Sequence, residues 1–379
     1  MKKLISISVI SLALVLSGCF TSAPGISGIG LAQERREQPD LTIDAATRSQ
    51  VIDGVLERLN ESYVFPEVAK QMEQAIRERQ SKKEYESLTN ARALTEALTS
   101  HLREVSHDKH LRVGYSSETL PVENTRHEPS PEERERFRSF LKTINFGFEK
   151  VERLSGNVGY LDLRGFVPAE FGAETVVAAM NFLANTDALV IDLRQNGGGD
   201  PAMVALISSY LFGPEPVHLN DLYWRTDNST RQWWTLPYVP GKRYAGKDVY
   251  VLTSKRTFSA AEEFTYNLKN LKRATIVGET TGGGAHPGGT RRVNDHFFVW
   301  VPSGLAINPI SKTNWEGTGV KPDVEVPAEQ ALKTAHLAAL KTVAARNTDK
   351  ERADALKRAM ETVQKELDDL KKSTLKAVN

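Results

Sequence analysis

The chain has 379 residues, 40% hydrophobic and 26% charged, with a formal net charge of +1 and a single cysteine. That length allows a buried core and two or three domains, and a charge near zero argues against a general polyanion binder, so no nucleic-acid partner is expected. After the first twenty residues no stretch is long and apolar enough to span a bilayer.

Lys2 and Lys3 precede an apolar run from Leu4 to Leu16, the pattern of an export signal. The run ends at Leu16-Ser17-Gly18-Cys19, which resembles the lipobox of bacterial lipoproteins. The resemblance implies lipidation of Cys19, a mature chain starting there, and a membrane anchor on an exported face. The alternative is an ordinary cleaved signal ending near Gly30-Leu31-Ala32, although Ala32 lies far beyond the apolar run. Residues 1–19 are thus read as signal and 20–43 as a tether rich in small residues. With one cysteine no internal disulfide is available, and stability must come from the core.

Between residues 44 and 115 apolar residues recur at helical spacing. Ile52, Val55, Leu56 and Leu59 share one face, and Leu94, Leu98, Leu102 and Val105 another. This is the expected N-terminal helical domain, closing at Ser106-His107-Asp108-Lys109-His110, with a polar connector around Pro121 to Pro131. From residue 145 to 327 strand-like runs alternate with helical ones. Strands are expected at Val158–Leu163, Ala188–Leu193, Val249–Thr253, Ala274–Val277 and Phe297–Val301. Helices are expected at Glu174–Leu183, Pro201–Leu211 and Ala260–Leu271. Buried strands alternating with helices imply an α/β core. The segment Tyr223–Tyr244, with Trp224, Trp233 and Trp234, reads as a long loop pinned by aromatics or covering a cleft. Residues 328–379 read as C-terminal helices, the last carrying a stripe of Leu356, Met360, Val363, Leu367 and Leu370.

Chemistry concentrates in a few segments. Asp192-Leu193-Arg194-Gln195-Asn196-Gly197-Gly198-Gly199-Asp200 lies between a strand and a helix. Its glycines allow a phosphate cradle, half of an oxyanion hole, or only a tight turn. No G-x-G-x-x-G order and no Lys-Ser or Lys-Thr closure supports the phosphate. In Thr257-Phe258-Ser259-Ala260-Ala261-Glu262, Ser259 and Glu262 fit a capping box, while Ser259 at a helix start beside small residues also fits a nucleophile. Gly278-Glu279-Thr280-Thr281-Gly282-Gly283-Gly284-Ala285-His286 and Asn314-Trp315-Glu316-Gly317-Thr318-Gly319-Val320-Lys321-Pro322-Asp323 follow.

Five motifs in this order resemble the C-terminal-processing (tail-specific) serine peptidase family. They are D-x-H, D-L-R-x-N-x-G-G, T-x-S-A-A-E, G-E-T-T-G-G-G and E-x-x-G-V-x-P-D. The likeness is closer to the branch of the tricorn protease core and interphotoreceptor retinoid-binding protein, and it extends over roughly residues 44–327. It implies a crotonase/ClpP-like β-β-α superhelical core and peptide-bond hydrolysis through an acyl-enzyme, with no cofactor. Ser-Lys relatives carry a lysine where this chain has Gly284, so the resemblance points to the Ser, His and Glu of the tricorn-like branch, on Ser259, His110 and Glu316. That branch has a serine before its histidine where Lys109 stands here. Asp108 and Glu316 are both candidates to orient His110, and His286 is the alternative base. The amides of Gly198 and Ala260 are the candidate oxyanion donors. A His107/His110 metal pair is discounted for want of a further ligand cluster. The substrate would be a peptide or protein. Two rivals remain: a non-catalytic binder of an apolar ligand on the same fold, and a serine esterase using the same machinery.

Overall fold

The structure, a computed structural model, describes residues 38–121 and 130–378. The signal, Cys19 and most of the tether lie outside the described residues, as does His127. The described chain starts with α1 (Ala45–Ser62), α2 (Pro66–Ser81) and α3 (Ala91–Ser106), then β1 (Arg112–Tyr115). Side-chain caps start two of these helices. Asp44 accepts the Thr47 N–H and Asn90 the Ala93 N–H, while α2 begins on Pro66, whose missing N–H costs nothing there.

The next elements are α4 (Pro131–Thr143), β2 (Phe148–Leu154), β3 (Val158–Leu163), α5 (Ala169–Leu183), β4 (Ala188–Asp192) and α6 (Pro201–Leu211). They are followed by β5 (His218–Trp224), β6 (Ser229–Trp234), β7 (Asp248–Thr253), α7 (Ala260–Asn270), β8 (Thr275–Gly278), β9 (Gly288–Arg292) and β10 (Phe297–Pro302). The chain closes with β11 (Gly304–Ile307), β12 (Val324–Glu325), α8 (Ala328–Arg346) and α9 (Lys350–Val378). Helix α4 begins where a connector was expected. Only Phe137 and Leu141 of it are buried, too sparse a stripe to show a helical period, but Ser130 and Glu133 form a reciprocal capping box. The tryptophan-rich segment also differs from the expected loop. β5 and β6 form a hairpin, and β11 pairs with β5 to complete a three-stranded sheet.

The centre is a six-stranded sheet in the order β12-β8-β7-β4-β3-β2, parallel except for the β2–β3 pair. Both faces are covered, which explains the unbroken apolar runs of the inner strands. Leu161, Leu163, Leu189, Ile191, Val249, Val251 and Ile276 point to one face and pack with residues of α5, α6 and α7. Their neighbours Val158, Tyr160, Val190, Tyr250, Leu252 and Val277 point to the other, against α8 and the Leu356, Val363 and Leu367 stripe of α9. This is an α/β core with helices at both ends of the chain.

The helical region does not close a core by itself. β1 pairs with β10, and Phe297, Val299 and Val301 of β10 pack among α1, α2 and α3 with Leu111 and Val113. The α3–β1 turn is thereby fixed against the α/β part of the molecule. β4, β7 and β8 are adjacent and parallel, so the loops leaving their C-terminal ends emerge side by side. Those are the loops after Asp192, Thr253 and Gly278 that carry the glycine-rich and serine motifs.

Candidate active site

Ser259 sits at the sharp turn into α7 with φ 54° and ψ −123°. A non-glycine residue in such a conformation costs on the order of 1–3 kcal/mol and persists only where its surroundings enforce it. They do so here. The Phe258 N–H donates to the Asn196 carbonyl, the Ser259 N–H to Glu262 Oε2, and the Gly282 N–H to the Thr257 carbonyl. A strained strand-to-helix turn is the geometry that projects a nucleophilic hydroxyl above a sheet.

The glycine loop after β4 lies against this turn. A side chain at Gly198 would come within 2.8 Å of Ser259 Cβ and 3.0 Å of the Ala260 nitrogen, so only glycine permits the approach. As the first residue of α7, Ala260 has an N–H beyond the reach of intrahelical pairing. The Gly198 N–H, expected as a second oxyanion donor, is engaged instead by Asn196 Oδ1 at 2.9 Å. The Asn196 amide in turn donates to the Leu163 carbonyl, and Arg194 pairs with Asp192. In this loop Asp192, Arg194 and Asn196 serve to hold its shape.

His110 arrives from the other side. His107 ends α3 in the left-handed conformation, and Asp108 Oδ1 accepts the His110 backbone N–H two residues on, which fixes the turn. The His110 ring packs on Phe258, 4.6 Å between centroids, next to Ser259 in the chain. Its side chain is 11% exposed, and both ring nitrogens are buried without a hydrogen-bond partner. Burial pulls its pKa down to about 4, against the opposing charge of Asp108. At Gly284 an added Cβ would lie 2.3 Å from Phe258 Cζ and 2.7 Å from His110 Cε1. Position 284 therefore faces the imidazole of His110 and the Phe258 ring, and a side chain there would collide with both.

Behind this ring lies a buried charged cluster. Asp108 Oδ2 pairs with His286 Nδ1 at 2.8 Å and accepts the Tyr63 hydroxyl at 3.4 Å. Glu316 Oε2 accepts the Ala285 N–H and stands 3.5 Å from His286 Nδ1, while Glu316 Oε1 is buried without a partner. Glu316 is thus placed beside His286, whereas the carboxylate approaching His110 is Asp108, 3.9 Å from Nδ1. Burial, then the Asp108 charge, pushes Glu316 up to about 7. For His286, burial acts downward, but the Asp108 hydrogen bond and both carboxylates outweigh it and the pKa is raised. Asp108, His286 and Glu316 each offer a ligand atom, all within 4.8 Å of one another, a donor set able to take a divalent ion. The same groups already partner one another without one.

Sequence reasoning underrated two residues. Asp108 bridges both histidines, and the signal for it was its place in D-x-H. From sequence Glu262 reads as a helix cap, yet it is fully buried and accepts four hydrogen bonds. Carboxylates in consecutive motifs were the available clue.

An α/β core with a strained serine at a helix start, and a buried imidazole packed on the residue before it, is a framework found in serine-type hydrolases. Residues 157–326 match the model of peptidase family S41, and residues 43–148 match the N-terminal domain of that family as found in eukaryotic IRBP. The chain belongs to peptidase family S41, and is a serine peptidase. Among solved structures it is similar to a candidate peptidase from Parabacteroides merdae. The TM-score is 0.52 at 18% identity, over 78% of this chain and 96% of that one. It is also similar to a lipoprotein from Streptococcus agalactiae, with a TM-score of 0.51 at 13% identity over the same shares. These two likenesses describe the fold.

Proposed function

We propose that the protein hydrolyses peptide bonds through an acyl-enzyme on Ser259, with His110 as the base. The observation that carries this is the strained Ser259 turn, whose neighbour Phe258 packs on a buried His110 with no hydrogen-bond partner on either ring nitrogen. Buried polar atoms are rarely left unpaired, because each costs about 1–3 kcal/mol, and an imidazole kept for proton transfer accounts for the exception. His110 takes the Ser259 proton as Oγ bonds to the scissile carbonyl carbon. The C–N bond then breaks, and the imidazolium returns the proton to the leaving amine. Water, activated by the same imidazole, releases the acid product. The Ala260 N–H at the positive end of α7 faces the developing oxyanion. Gly198 joins it only by exchanging Asn196 Oδ1 for that oxygen. Asp108, backed by His286 and Glu316, supplies the negative field that stabilises the imidazolium.

The test is labelling by a serine-reactive phosphonate together with turnover of a peptide substrate. Ser259→Ala abolishes both and leaves the melting temperature nearly unchanged. A helix cap alone would instead lose about 0.5–2 kcal/mol of stability and keep turnover.

Export as a lipoprotein belongs to the same reading and is supported by the sequence Leu16-Ser17-Gly18-Cys19. A fatty-acid probe fed to expressing cells marks the wild type and not Cys19→Ala. Equal labelling of the two rejects the anchor.

A further inference from the structure

Glu262 lies at the junction of the motifs rather than in any one of them. Its residue is 0% exposed. Oε2 accepts the backbone N–H of Ser259 at 3.0 Å and of Gly284 at 2.8 Å. Oε1 accepts the Gly283 N–H at 2.6 Å and the Thr281 hydroxyl at 2.5 Å. Four donors around two oxygens use the acceptor capacity of a carboxylate with no proton on it.

The donors come from two separate segments. Ser259 belongs to the strained turn, while Thr281, Gly283 and Gly284 belong to the loop after β8. That loop reaches further still. Thr281 Oγ1 accepts the Val320 N–H, the Gly283 carbonyl accepts the Gly317 N–H, and the Gly284 carbonyl accepts Trp315 Nε1. Gly284 is also the wall against which His110 and Phe258 stand. One carboxylate therefore joins the segment holding Ser259, the loop bounding His110 and the segment holding Glu316.

We infer that Glu262 is a positioning residue for hydrolysis: its ionised carboxylate holds the Ser259 turn and the Gly282–Gly284 loop in register, so that nucleophile and base meet. This rests on the reading of Ser259 as the nucleophile. Glutamine has the same shape but carries an NH2 group in place of one oxygen. That group would face two donors it cannot accept from, and the two segments would separate at that point.

The test compares wild type, Ser259→Ala, Glu262→Gln, Thr281→Val and Thr281→Ser. Each is measured by kcat and KM on a peptide, by the rate and the final extent of phosphonate labelling, and by thermal melting. For Glu262→Gln, kcat and the labelling rate fall about 100-fold, the loss that a misplacement near 1 Å produces. KM stays within about threefold, and the final extent of labelling still reaches that of the wild type. Thr281→Val, which removes one donor, gives a smaller loss of kcat, and Thr281→Ser restores most of it. A purely structural role would lower the final extent of labelling and leave the rate per labelled molecule unchanged, which overturns the inference. So does a folded Glu262→Gln with wild-type kcat. Should Glu262→Gln not fold, a Thr281→Val protein with full kcat overturns it instead. Activity retained in Ser259→Ala would reject the nucleophile itself, a result distinct from these.

Discussion

His110 must be neutral to accept the proton from Ser259, so its pKa sets an acid limb on kcat/KM. An unperturbed imidazole would place that limb near about 6.5. Burial favours the uncharged form and brings His110 down to about 4, with Asp108 opposing. The rate then rises with pH through about 4 and is close to its plateau by about pH 5.5. A pH–rate profile on a peptide substrate measures this, and His110→Ala loses about as much rate as Ser259→Ala because the two act as a unit. A limb near 7 that vanishes in Glu316→Gln would instead show that ionisation of Glu316, held at about 7 by burial, gates the reaction. Near-normal turnover in His110→Ala, with His286→Ala inactive, would move the base to His286.

The loop after β8 shows what an element contributes that no single residue does. Its Gly284 backs onto Phe258 and His110 with no room for a methyl group. Gly284→Ala forces the Phe258 and His110 rings to shift, and kcat falls by about 100-fold while the sheet stays intact. Wild-type kcat in Gly284→Ala would mean that the rings move aside without consequence. This packing also marks the boundary of what sequence could convey. β3, β4, β7 and β8 were legible because strands buried on both faces leave continuous apolar runs, and β10 because Phe297, Val299 and Val301 recur along its buried face. α4 was not, because two buried side chains in thirteen residues carry no period, and neither was the β5–β6 hairpin, where polar and aromatic residues mix. At the site, the order of motifs singled out Ser259, His110, His286 and Glu316. It did not give their pairing. That Glu316 stands beside His286, and that Asn196 engages the Gly198 N–H, depends on the placement of side chains from loops far apart in sequence.

At the scale of the whole molecule, the site leaves buried ionisable groups whose combined effect appears in stability against pH. Burial raises Glu263, next to Glu262 in α7, to about 8 and Asp200 to about 6, and Glu316 stands at about 7. A carboxyl whose pKa is higher in the folded than in the unfolded chain binds more protons when folded. Its contribution is present at low pH and is lost as pH rises through the folded value. His286, raised by its two carboxylates, acts in the same direction. His110, lowered to about 4, and His101 and His336, also lowered by burial, act the opposite way, and their effect is complete only about one unit above the unfolded imidazole value, at about pH 7.5. Above about pH 7.5 Glu263 is still titrating in the falling direction while the lowered histidines have finished, so the melting temperature falls from there to about pH 8.5. Glu263 is the largest contributor, being 5% exposed with one oxygen unpartnered. Glu263→Gln keeps the shape and removes the titration, so its melting temperature falls less from about pH 7.5 to 8.5 than that of the wild type. Differential scanning calorimetry at five or so pH values measures this. Parallel curves for the two proteins would mean that Glu263 is ionised in the folded state throughout, its charge met by the neighbouring Asn220 and Asn267 amides.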